Sequence, residues 1–313
     1  MTSVPVLAVA GHLGAGKTTL LNHLLRNSRG VRIGALVNDF GAVNIDAMLV
    51  AGQVDAMASL SNGCICCAVD AEEAGEMLAK LAAVKPRLDL IVVEASGVAE
   101  PAALARTIVT AGDPRFHYAG LVLVVDGLQP ELGHGLRVAD LVVLNKASSC
   151  ADLDGLLARI RADSPRVPVL PTDFANIDPE LLIDPPPPRA PQAQLSFDEL
   201  LREEHDHDHD HPEYQSIEFS TDAEVNPRRF MEFLQDRPEG LYRAKGFVDF
   251  GAQRFLVQLV GSSLRFEKRG AGGTELVLIG TGMDRSAVLA GLQQCIGVPA
   301  DENAMLGVLK YVV

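Results

Sequence analysis

"GHLGAGKTT", residues 11–19, follows the apolar run "VPVLAVA" at 4–10 and leads into "LLNHLLRN" at 20–27. Gly11, Gly16, Lys17 and Thr18 fit G-x-x-x-x-G-K-[ST], and the flanks supply the strand-loop-helix context that this motif needs. Glycines let the backbone curl, so the main-chain N–H groups from Gly14 to Thr19, through Ala15 and Gly16, can face phosphate oxygens at the positive end of the helix. Lys17 would reach the terminal phosphates, and the Thr18 hydroxyl would hold Mg²⁺. A glycine-rich turn alone would not explain Lys-Thr at this offset. The stretch therefore predicts a nucleotide site.

Working outward, "RIGALVN" (32–38), "LDLIVVE" (88–94), "GLVLVVD" (120–126) and "DLVVLNK" (140–146) read as further buried strands. Between them, "DAEEAGEMLAKLAAV" (70–84), "AEPAALARTIVTA" (99–111) and "ADLDGLLARIRAD" (151–163) have helical apolar spacing. The pattern predicts an α/β domain over 1–180, with a mostly parallel sheet covered on both faces. "DPPPPRAP" (184–191) and "EEHDHDHDHP" (203–212) break it, so 181–213 reads as a linker. From 214 to 313 come "YQSIEFS", a helix at "NPRRFMEFLQD", four strands and a helix at "DRSAVLAGLQQC". That order suggests a smaller α+β domain, with a ferredoxin-like arrangement as one option.

Bulk properties bound the function. A chain of 313 residues with 48% hydrophobic content supports two cores, and a net charge of −14 argues against nucleic acid or an anionic membrane as partner. No apolar run approaches the roughly 20 residues of a membrane span, and the N-terminus lacks a basic leader. A reducing cytoplasm is expected, which makes a disulfide framework from five cysteines the weaker reading. Assembly into a homo-oligomer is left open by the sequence.

At later strand ends, Glu94 in "VVEASG" reaches the carboxyl edge of the sheet, where it can face the Mg²⁺ shell or the attacking water. Gly97 can offer a bare N–H to the γ-phosphate and act as a hinge. Asn145 and Lys146 in "LNKAS" match the first half of the Asn-Lys-x-Asp signature of GTPases, but Ser148 stands where the aspartate should accept two N–H bonds from guanine. Losing a charged hydrogen bond costs about 1.5–3 kcal/mol, so GTP over ATP is not secured by this loop. Asp152 reads as an N-cap for the next helix.

"SNGCICC" (61–67) holds three of the five cysteines. On an extended strand Cys64 and Cys66 would have Cα atoms about 6.6 Å apart, whereas two sulfurs on one zinc approach to about 3.8 Å. The turn signal in "SNG" supplies the bend. Metal ligation by Cys64, Cys66 and Cys67 fits best, with a Cys64/Cys67 redox pair and plain packing as alternatives. His205, His207, His209 and His211 alternate with acids; this run either captures zinc, cobalt or nickel weakly or is a solvated linker. Cys150 and Cys295 read as buried side chains, and His12 and His23 carry no assigned role.

Together the P-loop, the C-x-C-C cluster, "EASG", the N-K loop, the His-rich linker and "YRAKGF" (242–247) resemble the CobW family of P-loop GTPases over nearly the whole chain. The resemblance implies a GTPase domain followed by a smaller C-terminal domain, and a metallochaperone that delivers Zn²⁺ or Co²⁺ to a client metalloprotein. It implies Lys17 and Thr18 at the phosphates and Mg²⁺, Glu94 in hydrolysis, Asn145 and Lys146 at the base, and the three thiols at the transferred metal. Where the family often reads "VNEFGEVGID", this chain has "VNDFGAVNID" (37–46); Asp39 keeps an acid, while Ala42 cannot ligate. A metal buffer with a merely structural nucleotide, or a P-loop small-molecule kinase, are the rival readings.

Overall fold

The structure is a computed structural model and describes residues 3–28, 30–37, 56–59, 71–96, 100–182, 215–300 and 303–312. Its first half is a seven-stranded sheet, each neighbouring pair parallel, in the order β3-β2-β4-β1-β5-β6-β7. The strands are β1 (Val4–Gly11), β2 (Ile33–Val37), β3 (Ala56–Ser59), β4 (Leu90–Glu94), β5 (Phe116–Asp126), β6 (Leu141–Asn145) and β7 (Val169–Pro171). Helices α1 (Lys17–Arg26), α2 (Ala71–Ala82), α3 (Pro101–Thr110) and α4 (Leu153–Asp163) connect them.

Strand alternation explains the two-sided core. Val6, Ala8 and Ala10 of β1 pack with Leu78, Leu104 and Ile160 of α2, α3 and α4, while Leu7 and Val9 point the other way, onto Leu20, Leu21 and Leu24 of α1. Both faces are buried, which is why these strands read as unbroken apolar runs. Two strands escaped the sequence reading, and both lie at sheet edges. The β3 segment "AMAS" carries no β-branched residue, and "VLP" of β7 is bracketed by Pro168 and Pro171, a pattern that reads as loop and is tolerated only at an edge.

The second sheet is antiparallel, in the order β11-β10-β9-β12-β8, with β8 (Gln215–Thr221), β9 (Leu241–Asp249), β10 (Arg254–Val260), β11 (Ser263–Arg269) and β12 (Thr274–Gly280). Helices α5 (Pro227–Gln235) and α6 (Arg285–Gln293), with the short α7 (Leu306–Leu309), complete the half. Phe230, Phe255 and Phe266 centre its core. A ferredoxin-like unit would have β-α-β-β-α-β order; here β9, β10 and β11 form a meander, β12 follows with no helix between, and it inserts beside β8.

The halves are joined by specific contacts. Tyr242 of β9 is buried in the α1-side core. Buried Asp140 accepts from Leu121 N, Tyr118 Oη and, across the junction, Ser262 N. Arg243 Nη1 donates to Glu180 O at 2.7 Å, and Thr281 Oγ1 to Val169 O at 3.2 Å. His117 lies within hydrogen-bond reach of Arg265 Nη1; burial, then the charges of Arg265 and Arg87, push its pKa down to about 3. The C-terminal half thus packs against the first half through β9, β11 and the loops at Ser262 and Thr281.

Candidate nucleotide-binding site

β1 ends at Gly11 and α1 begins at Lys17, so the loop between them opens at the carboxyl edge of the sheet, beside the ends of β4 and β5. Gly11, Gly14 and Gly16 all have positive φ, at 148°, 80° and 108°. At Gly16 the need for glycine is double: a side chain would be strained there, and a Cβ would collide with the Asn145 carboxamide. Lys17 is buried, and its Nζ donates to His12 O at 3.1 Å, an arrangement that keeps the ammonium folded over the loop.

Thr18 Oγ1 donates to Glu94 Oε1 at 2.7 Å, and Glu94 is only 2% exposed. The hydroxyl proton is thereby committed to the carboxylate, which leaves oxygen lone pairs for a cation on the phosphate side. Thr18 with Glu94 nearby is a hard-oxygen donor set that suits Mg²⁺. Ala95 N bonds Val9 O at 2.9 Å, continuing the β1–β4 ladder one step beyond Glu94. Gly97 lies outside the described residues.

On the opposite side of the loop, Asn145 is 3% exposed; its Nδ2 donates to Ala15 O and its Oδ1 accepts from Ala175 N, both at 2.9 Å. One side chain therefore ties the phosphate loop to the turn after β7. Lys146 takes φ 60° and directs Nζ to Gly14 O at 3.0 Å and to Asp126 Oδ2 at 2.5 Å. Burial alone would raise the Asp126 pKa, but the Lys146 bond and the backbone N–H groups of Leu128 and Gln129 outweigh it and hold the carboxyl below its ordinary range.

Sequence reasoning missed three residues here. Asp126 ends an apolar strand at the same edge as Glu94, so the argument applied to Glu94 would have found it. Asp173 and Phe174 follow β7, which was not recognised; Ser148 bonds to Asp173, and the Phe174 ring is 84% exposed. His12 pairs with Glu131 at 3.1 Å on the surface, and His23 bonds Ile177 O at 2.7 Å. Cys150 is half-buried against the α4-side core; Cys295 is fully buried, its thiol pushed up to about 11 chiefly by burial. Asp152 caps α4 through Gly155 N, as its position predicts.

Cys64, Cys66, Cys67, Asp39 and His205, His207, His209 and His211 all lie outside the described residues. Among the described residues no cluster of His, Cys, Asp and Glu could hold a metal, and no helix is long and apolar enough to cross a membrane. The described backbone does fix where the cysteine-bearing segment begins: β3 ends at Ser59, level with Val37 of β2, which is level with Glu94 of β4. Three strand spacings, about 14 Å, separate β3 from β1 at this edge.

The CobW/HypB/UreG nucleotide-binding domain matches residues 5–170, and the cobalamin synthesis protein cobW C-terminal domain matches residues 214–296. The zinc chaperone CobW of Pseudomonas aeruginosa is 32% identical, the match covering 92% of this chain and 90% of that protein. The zinc chaperone YjiA of Escherichia coli is 29% identical over 59% of this chain and 62% of its own length. Among solved structures, Zn(II)-bound YjiA GTPase superposes with a TM-score of 0.43 at 21% identity, covering 94% of this chain and 99% of that one. From the match of the first domain to more than half of the residues, and from a relative above 30% identity along nine-tenths of the sequence, the chain belongs to the CobW/HypB/UreG family and carries the CobW C-terminal domain.

Proposed function

We infer that this chain is a cytoplasmic GTP-hydrolysing metallochaperone that carries Zn²⁺, or Co²⁺, on Cys64, Cys66 and Cys67 and passes it to a client metalloprotein according to the bound nucleotide. The observation that carries the reading is the Thr18–Glu94 hydrogen bond. It joins the phosphate loop to β4, and β4 is the neighbour of β2, which in turn pairs with the strand leading into the cysteines.

In this reading residues 1–180 bind and hydrolyse the nucleotide, 181–213 form the linker, and 214–313 meet the client. Main-chain N–H groups from Gly14 to Thr19 cradle the phosphates, Lys17 leaves His12 O for the terminal phosphates, and Asn145 with Lys146 frames the base. Thr18 would hold Mg²⁺, which would supply positive charge to offset that of the phosphates. Glu94 orients the attacking water, and Gly97 offers its N–H to the γ-phosphate and relaxes when that group leaves. Asp39 and the histidine run serve as auxiliary ligands for incoming metal. Turnover without a partner is slow, since the sequence alone identifies no arginine finger.

Zinc chaperones aligned over nine-tenths of their length support the cargo and the client class. So does the name "Zinc-regulated GTPase metalloprotein activator 1" of a Dictyostelium discoideum relative, 40% identical over a third of this chain. Hydrolysis is the test. Glu94→Gln should lower GTP turnover on the order of 100-fold while GDP affinity changes less than about threefold. Unchanged release of inorganic phosphate, or phosphate found on a metabolite, would contradict the assignment.

A further inference from the structure

The base-recognition loop lacks the aspartate that reads guanine, because residue 148 is serine. That serine is not idle. Ser148 Oγ donates to Asp173 Oδ1 at 2.9 Å, and Ser148 N approaches the same oxygen at 3.2 Å. We propose that Asp173, from the turn after β7, is the residue that selects guanine in this chain, held in place by Ser148, with Phe174 as the ring on which the base stacks.

Three observations support this. First, the turn is placed against the nucleotide loop: Ala175 N bonds Asn145 Oδ1, and the same Asn145 bonds Ala15 O. Second, the turn is locked into an unfavourable backbone shape, with φ of 55° at Phe174 and 53° at Ala175, neither of them glycine. Thr172 holds it, through Thr172 Oγ1 to Asn176 O at 2.7 Å and Ala147 N to Thr172 O at 3.0 Å. Third, a carboxylate has about four lone-pair sites, and Ser148 engages only Oδ1. Among the described residues Oδ2 accepts no hydrogen bond, so it is open to the N1–H and 2-amino N–H of guanine. Adenine presents an acceptor at N1 and no 2-amino group, and it would be repelled.

Exposure of Phe174 fits the same picture. A ring 84% exposed at the tip of a braced turn contributes little to the core, whereas a base stacked on it would cover one face. The inference rests on the nucleotide reading above and adds the residue that sets base preference.

The test is competition of GDP, IDP, XDP and ADP against a fluorescent GDP on the full chain with Mg²⁺. The wild type should prefer GDP to IDP, which lacks the 2-amino group, and to ADP by about tenfold or more. In Asp173→Asn the side chain gains an N–H donor suited to the 2-carbonyl of xanthine, so GDP should weaken and XDP tighten, each about tenfold or more. A residue that merely braced the loop would lose both nucleotides alike, and that result would overturn the proposal. The exchange Ser148→Asp with Asp173→Ser should restore GDP preference; an exchanged variant that binds GDP and IDP equally would also overturn it. Wild-type protein that binds GDP but not in preference to IDP refutes Asp173 alone, whereas failure to bind any of the four nucleotides refutes the nucleotide reading as well.

Discussion

The two ends of the proposed nucleotide cleft are built differently. At the phosphate end the chemistry resides in one contiguous stretch, residues 11–19, whose glycine φ values and main-chain N–H groups make the site. At the base end it is assembled from three places, Asp126 at the end of β5, Asn145 to Ser148 at and beyond the end of β6 and Asp173 to Ala175 after β7, joined by side-chain hydrogen bonds. A backbone-defined site tolerates almost no change within its motif. A side-chain site can lose one residue and recover the function from another strand end, as Ser148 and Asp173 illustrate.

Gly16→Ala strikes both ends and should have the largest effect. The added methyl group meets the Asn145 carboxamide at a residue with φ 108°, so we expect at least about 2 kcal/mol of lost stability and GDP affinity reduced on the order of 100-fold. Isothermal titration with thermal unfolding would measure it, and near-wild-type binding would show that the loop does not depend on that shape. Asn145→Ala should come next, because it leaves Ala15 O and Ala175 N without their buried partner. A cost of about 2–3 kcal/mol corresponds to a melting temperature lower by about 4–12 °C. A shift under 2 °C would mean that the two ends are not coupled through this side chain.

Much of this division was visible before the structure. Strands buried on both faces announce themselves as apolar runs, and the phosphate motif is local, so the α/β half and the β1–α1 loop could be read directly. What escaped was non-local or at an edge: β3 and β7 are short and poor in β-branched residues, and Asp173 acquires meaning only once β7 places it beside Ser148. Asp126 was readable in principle, being the last residue of a recognised strand. The meander in the second half was read strand by strand, yet nothing in its spacing told that β12 returns between β9 and β8.

Asp126→Asn should have the smallest effect, a GDP affinity lower by about three- to tenfold, because Lys146 keeps its bond to Gly14 O. Its pH signature is more telling. The folded carboxyl sits below its ordinary value of 3.8, so the ion pair is fully present above that pH and fades as the pH falls through the lower folded value. Wild-type stability should therefore fall more steeply than that of Asp126→Asn below about pH 4, as followed by urea unfolding. Parallel curves would remove Asp126 as the anchor of Lys146.

The proposal that the phosphate end governs the thiols is tested most directly by zinc affinity. Competition with a chromophoric chelator, at fixed pH with Mg²⁺, would compare a non-hydrolysable GTP analogue with GDP, in the wild type and with Cys64, Cys66 and Cys67 changed to Ser. An affinity difference of at least about tenfold between nucleotides, or about 1.4 kcal/mol, that disappears in the triple variant is the expected result. Equal affinities in the two nucleotide states, or a variant that binds zinc as the wild type does, would contradict it.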